Sequence, residues 1–402
     1  MNRQDTIRFL PLLLPALTVS VSVTAGTIAV ALVYLAALVL LLVERGRAVW
    51  PEGAVTRSLL ALVGAYFLAT ALAAPYPSHW AKFAEELWIK GLLVAVPLVA
   101  GRRPSVVRGA LQVALVMGAL AAAYAVAQNF LGVDPIRGRS IFRPDFGHTA
   151  VSGFFGHHLS YAGQILMLVL MTGALVLDRL ERPWRERIPL LAGLGLMALA
   201  LFWNYSRSAW VGAAAGLLAL VWLHPGPARR WTLGAGGAAL LVVMGIGPVR
   251  AHFLSIFRLE QHLTRLNLWR SSWDGLTAHP LLGFGPGNFS ALLREHMVPG
   301  HYDSLAHSHN DLLMHGVNAG LPGIAAALTL LFFTCRLFWR EWRRGGPDAW
   351  VFAGALVVQV GITVAGFFQV FQTDDEVEML LYFLLGCALA LATARKGETT
   401  RV

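Results

Sequence analysis

The sequence predicts an all-α, polytopic membrane protein with about twelve transmembrane helices. Three observations carry that expectation. Of 402 residues, 56% are hydrophobic and only 13% are charged, against about a quarter charged in soluble globular domains. Apolar runs of roughly 17–25 residues, the length that crosses a bilayer, recur from one end of the chain to the other. The short alternating strands of a transmembrane barrel are absent.

The apolar runs fall near 9–24, 27–43, 58–73, 87–100, 109–131, 159–177, 189–203, 208–223, 232–248, 315–336, 349–371 and 377–394. The first is preceded by Arg3 and Arg8 and followed at once by the second, so it reads as an uncleaved helix rather than a leader peptide. The fourth and seventh are short. Cys335 and Cys387 both lie inside runs and read as small buried apolar side chains, with no disulfide framework and no metal role. No repeat, low-complexity tract or linker divides the chain, so 1–402 reads as a single membrane domain.

Charge sets the expected orientation. Arg3 and Arg8, Arg45, Arg47 and Arg57, Arg102, Arg103 and Arg108, Arg179, Arg182, Arg185 and Arg187, Arg229 and Arg230, Arg336, Arg340, Arg343 and Arg344, and Arg395, Lys396 and Arg401 crowd the short loops on one side. Basic short loops stay in the cytoplasm, which puts both termini inside. The same reasoning accounts for the net charge of +10 without nucleic acid. The outer face then consists of 74–86, 132–158, a tight turn at 204–207, the long loop 249–308 and 372–376.

Polar groups at the edge of a span are costly and mark chemistry or a structural bond. In the long loop, Ile256 to Ala278 has helical periodicity, and Arg258, His262, Arg265 and Trp269 fall on one face. Such a face touches lipid headgroups or binds phosphate, for which the arginine fork is suited. Gly283-Phe284-Gly285-Pro286-Gly287-Asn288-Phe289 lacks the ending of a P-loop and the strand context of a dinucleotide fold, so it reads as a closely packed turn. After it, Ser308, Asn310 and Asp311 are helix starters, and Gly320-Leu321-Pro322-Gly323 marks a break before the full span. Asp311, His315 and Asn318 share a helical face. His309, among polar neighbours at the water boundary, is either structural or a proton-transfer group, since histidine titrates near neutrality.

Arg207, in Asn204-Tyr205-Ser206-Arg207-Ser208, either reaches back to the interface or faces an inner anion site. The loop 132–158 contributes Arg137, Arg139 and Arg143 and ends in His157 and His158. Adjacent histidines rarely chelate one ion, and the only carboxylate near them in sequence is Asp145, so a metal is disfavoured there. Asp374-Asp375-Glu376 fits either a divalent cation or pairing with outer arginines. The basic surroundings favour pairing.

Four patches, taken in order, resemble the O-antigen ligase and polymerase superfamily. They are Phe155-Gly156-His157-His158 with Gly163, Tyr205-Ser206-Arg207-Ser208-Ala209-Trp210-Val211-Gly212, Arg265 and Trp269 leading to the 283–289 glycine turn, and His309-Asn310-Asp311-Leu312-Leu313 with Gly320-Leu321-Pro322-Gly323. The resemblance implies a GT-C-like integral membrane glycosyltransferase of the bacterial inner membrane with a periplasmic active site. It implies transfer of a glycan from an undecaprenyl-diphosphate carrier to lipid A–core by a ligase, or to another carrier-linked repeat by a polymerase. The resemblance makes His309, Arg207 and Arg265 the essential residues. The polar residues of the outer face around them, Arg139, Arg143, His157, His158, Arg258, His262, Asn310, Asp311 and His315, are expected to contact substrate. A direct displacement would invert the anomeric centre, with no cofactor or metal. Many relatives carry Glu where this chain has Asn318. A lipid-linked oligosaccharide flippase is the alternative of another class, and it would need charged residues in mid-span.

Overall fold

The computed structural model describes residues 3–44, 49–143 and 148–399; Arg45, Arg47, Asp145 and Arg401, and the side chain of Arg3, lie outside what is described. The helices are α1 (Arg3–Thr18), α2 (Val23–Glu44), α3 (Gly53–Leu72), α4 (Trp80–Trp88), α5 (Leu92–Ala100), α6 (Pro104–Leu131), α7 (His158–Asp178), α8 (Trp184–Asn204), α9 (Arg207–Leu223), α10 (Pro227–Gly245), α11 (Gly247–Leu254), α12 (Leu263–Ala278), α13 (Phe289–His296), α14 (Asp311–Arg343), α15 (Ala349–Gly366) and α16 (Asp375–Thr399). Two minimal hairpins fold the loop after α6, one pairing Val133–Asp134 with Arg139–Ser140 and the other Phe142–Arg143 with His148–Thr149.

Every apolar run of the sequence meets a helix, and the protein is an all-α, multi-pass membrane protein. Among the described residues, eight helices are long and apolar enough to cross a bilayer. A ninth is added if α10 and the following helix, bent by 105° at Gly245–Gly247, count as one span. The others are shorter. The fourth run is divided into α4 and α5 by a 3-10 turn at Ile89–Gly91, and α1 and α9 are shorter apolar helices. The apolar window of α16 is wholly buried, with α7 and α15 nearly so, whereas α2 and α8 face outward. Helix α9 approaches α15 backbone to backbone, because a Cβ on Gly212 would stand 2.5 Å from the Gly361 carbonyl oxygen. Small residues permit such contacts where apolar burial gives no preference between protein and lipid.

Many of the basic residues of the predicted cytoplasmic side meet in one ionic network. Glu52 pairs with Arg340 and Lys396, Glu341 with Arg340, Arg344 and Arg395, and Asp348 with Arg108 and Arg395.

Helix α14 starts and breaks where the sequence says it should. The Asn310 side chain caps it by accepting from the Leu313 amide at 3.0 Å. Its backbone leaves helical geometry at Ala319 and Gly320. The groups freed there are satisfied from the glycine turn, as backbone at membrane depth requires. Phe284 N–H donates to the Val317 carbonyl at 2.8 Å, and Leu321 N–H donates to the Pro280 carbonyl at 2.7 Å. The turn fits because Gly283 has φ +61° and a Cβ there would lie 2.4 Å from the Val317 carbonyl oxygen.

Two boundaries differ from expectation. The helix expected over 256–278 begins only at Leu263; two 3-10 turns, Ser255–Phe257 and Leu259–His262, precede it. The eleventh run, expected to continue to 371, leaves the helix at Gly366. The non-helical segment 367–374 follows, and its Phe371 and Gln372 amides are bonded by the Asp311 side chain.

Gly283→Ala should lower stability by about 2–4 kcal/mol, combining a left-handed backbone with a backbone clash. Gly138→Ala, at φ +60° but with open space around its Cβ, should cost only about 1–2 kcal/mol. Thermal melting in detergent compares them. Equal losses would remove the packing of the turn on α14 as the reason for the first.

Candidate active site

The tight turn between α8 and α9 is built to present Arg207. Tyr205 closes α8 with φ +56°. Its ring stacks on His148 at 3.6 Å between centroids, and its carbonyl accepts from His252 Nε2 at 2.9 Å. Asn204 donates to the carbonyls of Val151 and His158, at 2.8 and 2.7 Å, fixing the turn to the loop before α7. Arg207 then occupies the first position of α9, with Nη1 donating to Ser255 Oγ at 2.9 Å.

Arg265 comes from the first turn of α12 and faces the same cavity of about 190 Å³. The remaining lining is mostly apolar, including Val211, Leu259, Leu266, Trp269 and Phe368. Both arginines are half-buried. Among the described residues, neither has a carboxylate within ion-pairing distance. His262, also in the wall, donates from Nε2 to the Ile256 carbonyl at 2.9 Å and accepts from Arg265 Nη1 through Nδ1 at 3.4 Å. Burial brings the Arg265 guanidinium down to about 10, and the Arg207 charge pushes the same way. It still carries its charge at neutral pH.

His309 stands beside this cavity rather than in its lining. Its φ of +51° is a left-handed conformation that histidine adopts sparingly, and one that concentrates at functional sites. Nδ1–H donates to Gln369 Oε1 at 2.7 Å, which fixes the tautomer and leaves Nε2 with its lone pair free. Gln369 follows Phe368, which lines the cavity opposite Trp269, with ring centroids 6.2 Å apart. Burial, aided by the Arg265 charge, outweighs the bond to Gln369 and holds the imidazole below the ordinary histidine value. The His309 amide donates to His307 Nδ1 at 3.2 Å. His307 is driven down to about 3 by burial and by the charges of His309, His157 and Arg265.

The other expected contacts divide. His157 lies within electrostatic reach of His307, and burial followed by the charge of Arg143 lowers it. Arg143 donates to His158 Nδ1 at 2.8 Å, so these three residues border the site. Arg139 is held by Asp134 at 3.9 Å and by the Gly156 carbonyl. Arg258 is exposed and precedes α12, and His262 lies in the 3-10 turn, so neither shares a helical face with Arg265; that expectation fails because the helix begins later. Asn310, Asp311 and His315 are buried. Asn310 Nδ2 donates to the Phe367 carbonyl at 3.2 Å, and His315 Nδ1 bonds the Tyr66 hydroxyl at 2.7 Å. Asp311 and His315 line a second cavity of about 80 Å³ among α3, α5, α14, α15 and α16. Asn318, the departure from the family pattern, is buried as well.

Asp374 does not pair with an outer arginine, among the described residues. It accepts from Ser160 Oγ at 2.7 Å. Burial, and then the neighbouring Glu376, raise its carboxyl to about 8.

Two groups that matter escaped the sequence reading. Gln369 was hidden in the apparent last turn of a span, and glutamine is not itself a chemical signal. Lys90, fully buried at the α4–α5 junction, forms an ion pair with Glu378 and donates to the Gln372 carbonyl at 3.0 Å. Its signal was a lone lysine inside an apolar run.

Residues 192–328 match the family model described as O-antigen ligase. No curated protein matches the chain. The matched region contains Arg207, Arg265, His309 and the glycine turn. The family covers O-antigen ligases and polymerases, membrane enzymes of the glycosyltransferase type acting on lipid-linked glycans. Over this region the chain is similar to the O-antigen ligase family.

Proposed function

We propose that the protein is an O-antigen ligase, transferring a glycan from undecaprenyl-diphosphate to a sugar hydroxyl of lipid A–core at the periplasmic face of the inner membrane, with both termini cytoplasmic. The observation that carries the reading is the pair of half-buried guanidiniums, Arg207 and Arg265, facing one cavity with no carboxylate beside them among the described residues. Unpaired charge out of water is costly and calls for an anionic ligand. The apolar remainder of the wall suits a ligand whose anionic head is joined to a hydrocarbon chain.

In this reading the arginines receive the departing diphosphate. Charge placed where negative charge develops contributes about 3–4 kcal/mol per donor at comparable sites. His309 takes the proton of the acceptor hydroxyl through Nε2 as the oxygen attacks the anomeric carbon. The carbon–oxygen bond to the diphosphate breaks on the opposite face, so the configuration inverts. Such base assistance is typically worth about 10²–10⁴ in rate. The guanidiniums supply the positive charge, so the step calls on no metal. Gln369 is a positioning residue that holds the imidazole and its tautomer.

The acceptor assay tests the assignment. Purified protein and carrier-linked glycan are incubated with lipid A–core, or with a second carrier-linked repeat. Mass gained by lipid A–core supports the ligase; mass gained only by the repeat makes the protein a polymerase. His309→Ala should reduce transfer by about 10²–10⁴ while the protein still inserts, and near-wild-type turnover would remove the imidazole as base. Arg207→Lys should also be strongly impaired, because lysine lacks the planar fork; an unchanged rate would return Arg207 to a purely topological role.

The pH–rate profile is a separate check. A base works when deprotonated, so activity falls as pH drops through its pKa. Because His309 lies below its usual 6.5 with no anion bound, the acidic limb of kcat/KM, which reports the free enzyme, should lie below that value. Gln369→Ala removes the bond that raises the imidazole and should move the limb further down while lowering kcat. A limb that stays in place would sever the link between Gln369 and the base.

A further inference from the structure

We infer that the outer loop carries a divalent transition-metal site, fitted to Zn²⁺, formed by His279, Glu295 and His296. One ligand atom from each of the three lies within 4.8 Å of the other two. His279 ends α12, and Glu295 and His296 are in the last turn of α13, so the site would staple these two helices together. Two imidazoles and one carboxylate are a typical zinc set that leaves a fourth position open. Magnesium and calcium prefer oxygen ligands throughout.

The surroundings are those of a metal centre in two respects. Asp274 Oδ2 lies 2.7 Å from His296 Nδ1. This carboxylate–histidine arrangement orients an imidazole and leaves Nε2 for a cation. The Tyr76 hydroxyl donates to Glu295 Oε2 at 2.7 Å and lies 3.0 Å from His279 Nε2. The Tyr76 hydroxyl thus bridges two of the ligand residues by hydrogen bonds that a bound cation would replace.

The site is separate from the arginine cavity. His279 follows Arg265 by the length of α12, about 20 Å at 1.5 Å per residue. What it would hold is the scaffold. His279 precedes the glycine turn that fills the break in α14, and Asn288, which begins α13, donates to the Pro77 carbonyl at 3.0 Å. A metal here would fasten α12, α13 and the outer segment bearing Tyr76. The inference does not depend on the transferase reading.

Tag-free, full-length protein in detergent, stripped with EDTA, is titrated with Zn²⁺ against a chromophoric chelator. One ion per chain, bound more tightly than about 10 µM, is expected. Affinity should fall on the order of 100-fold in His279→Ala, His296→Ala and Glu295→Gln, and about 10-fold in Asp274→Asn, whose residue only orients a ligand. His301→Ala, an exposed histidine paired with Asp303 outside the cluster, should bind as wild type. Metal-free melting curves of the variants, matched to that of the metal-free wild type, separate lost ligands from lost folding; Glu295→Gln keeps the volume of the side chain. Binding weaker than about 10 µM in the wild type, or affinity changed less than about 3-fold in all three ligand variants, overturns the site.

Discussion

The arrangement of the candidate site depends on one carboxylate. Asp311 Oδ1, at the start of α14, accepts from the amides of Phe371 and Gln372 at 2.8 and 2.9 Å. These amides have left their helix and would otherwise be buried without acceptors, at a cost of about 1–3 kcal/mol each. The same segment is held by Asn310 at the Phe367 carbonyl and by Lys90 at the Gln372 carbonyl. Between those anchors lie Phe368, a wall of the arginine cavity, and Gln369, the partner of His309. The polar residues after His309 therefore serve the site by shaping the segment that positions its imidazole.

The two arginines reach the same cavity from elements distant in sequence. Arg207 is brought inward by α9, whose close approach to α15 rests on glycine facing glycine. Arg265 is carried by α12, whose far end leads through the glycine turn to the break in α14. That break turns the 311–318 segment away from the rest of the span. An uninterrupted helix would leave the carbonyl of Val317 and the amide of Leu321 to each other's turns, and the loop would lose its two backbone anchors. The helix break and the loop are thus one structural device.

Much of the fold was legible because bilayer crossing leaves a strong local signal. Apolar runs located the helices, and Asn310 and Gly320 marked the start and break of α14. Arg207 and His309 stood out as polar residues at the edges of spans, and Arg265 as part of a basic face in the outer loop. The roles of Asp311 and His315 were not, since helical periodicity places them on a face without saying what that face meets. The 256–278 periodicity misled for a related reason. A spacing of three or four residues is compatible with short 3-10 turns followed by a helix, and only packing decides where the α-helix starts. Gln369 was illegible because its chemistry lies in a bond to a residue 60 positions away.

The electrostatics of the cavity also give the proposed reaction an order. With no anion bound, the charge of Arg265 acts with burial to keep His309 neutral. The imidazole is then ready to accept a proton but is a weak base. A diphosphate bound between Arg207 and Arg265 would cancel part of that positive field and move the imidazole pKa upward. By the linkage between charge and proton affinity, the donor would strengthen the base at the moment its leaving group is in place. An acceptor hydroxyl arriving before the donor would meet a poorer proton acceptor. The guanidiniums would thus act twice, first by suppressing an unproductive proton transfer and then by receiving the charge of the leaving diphosphate.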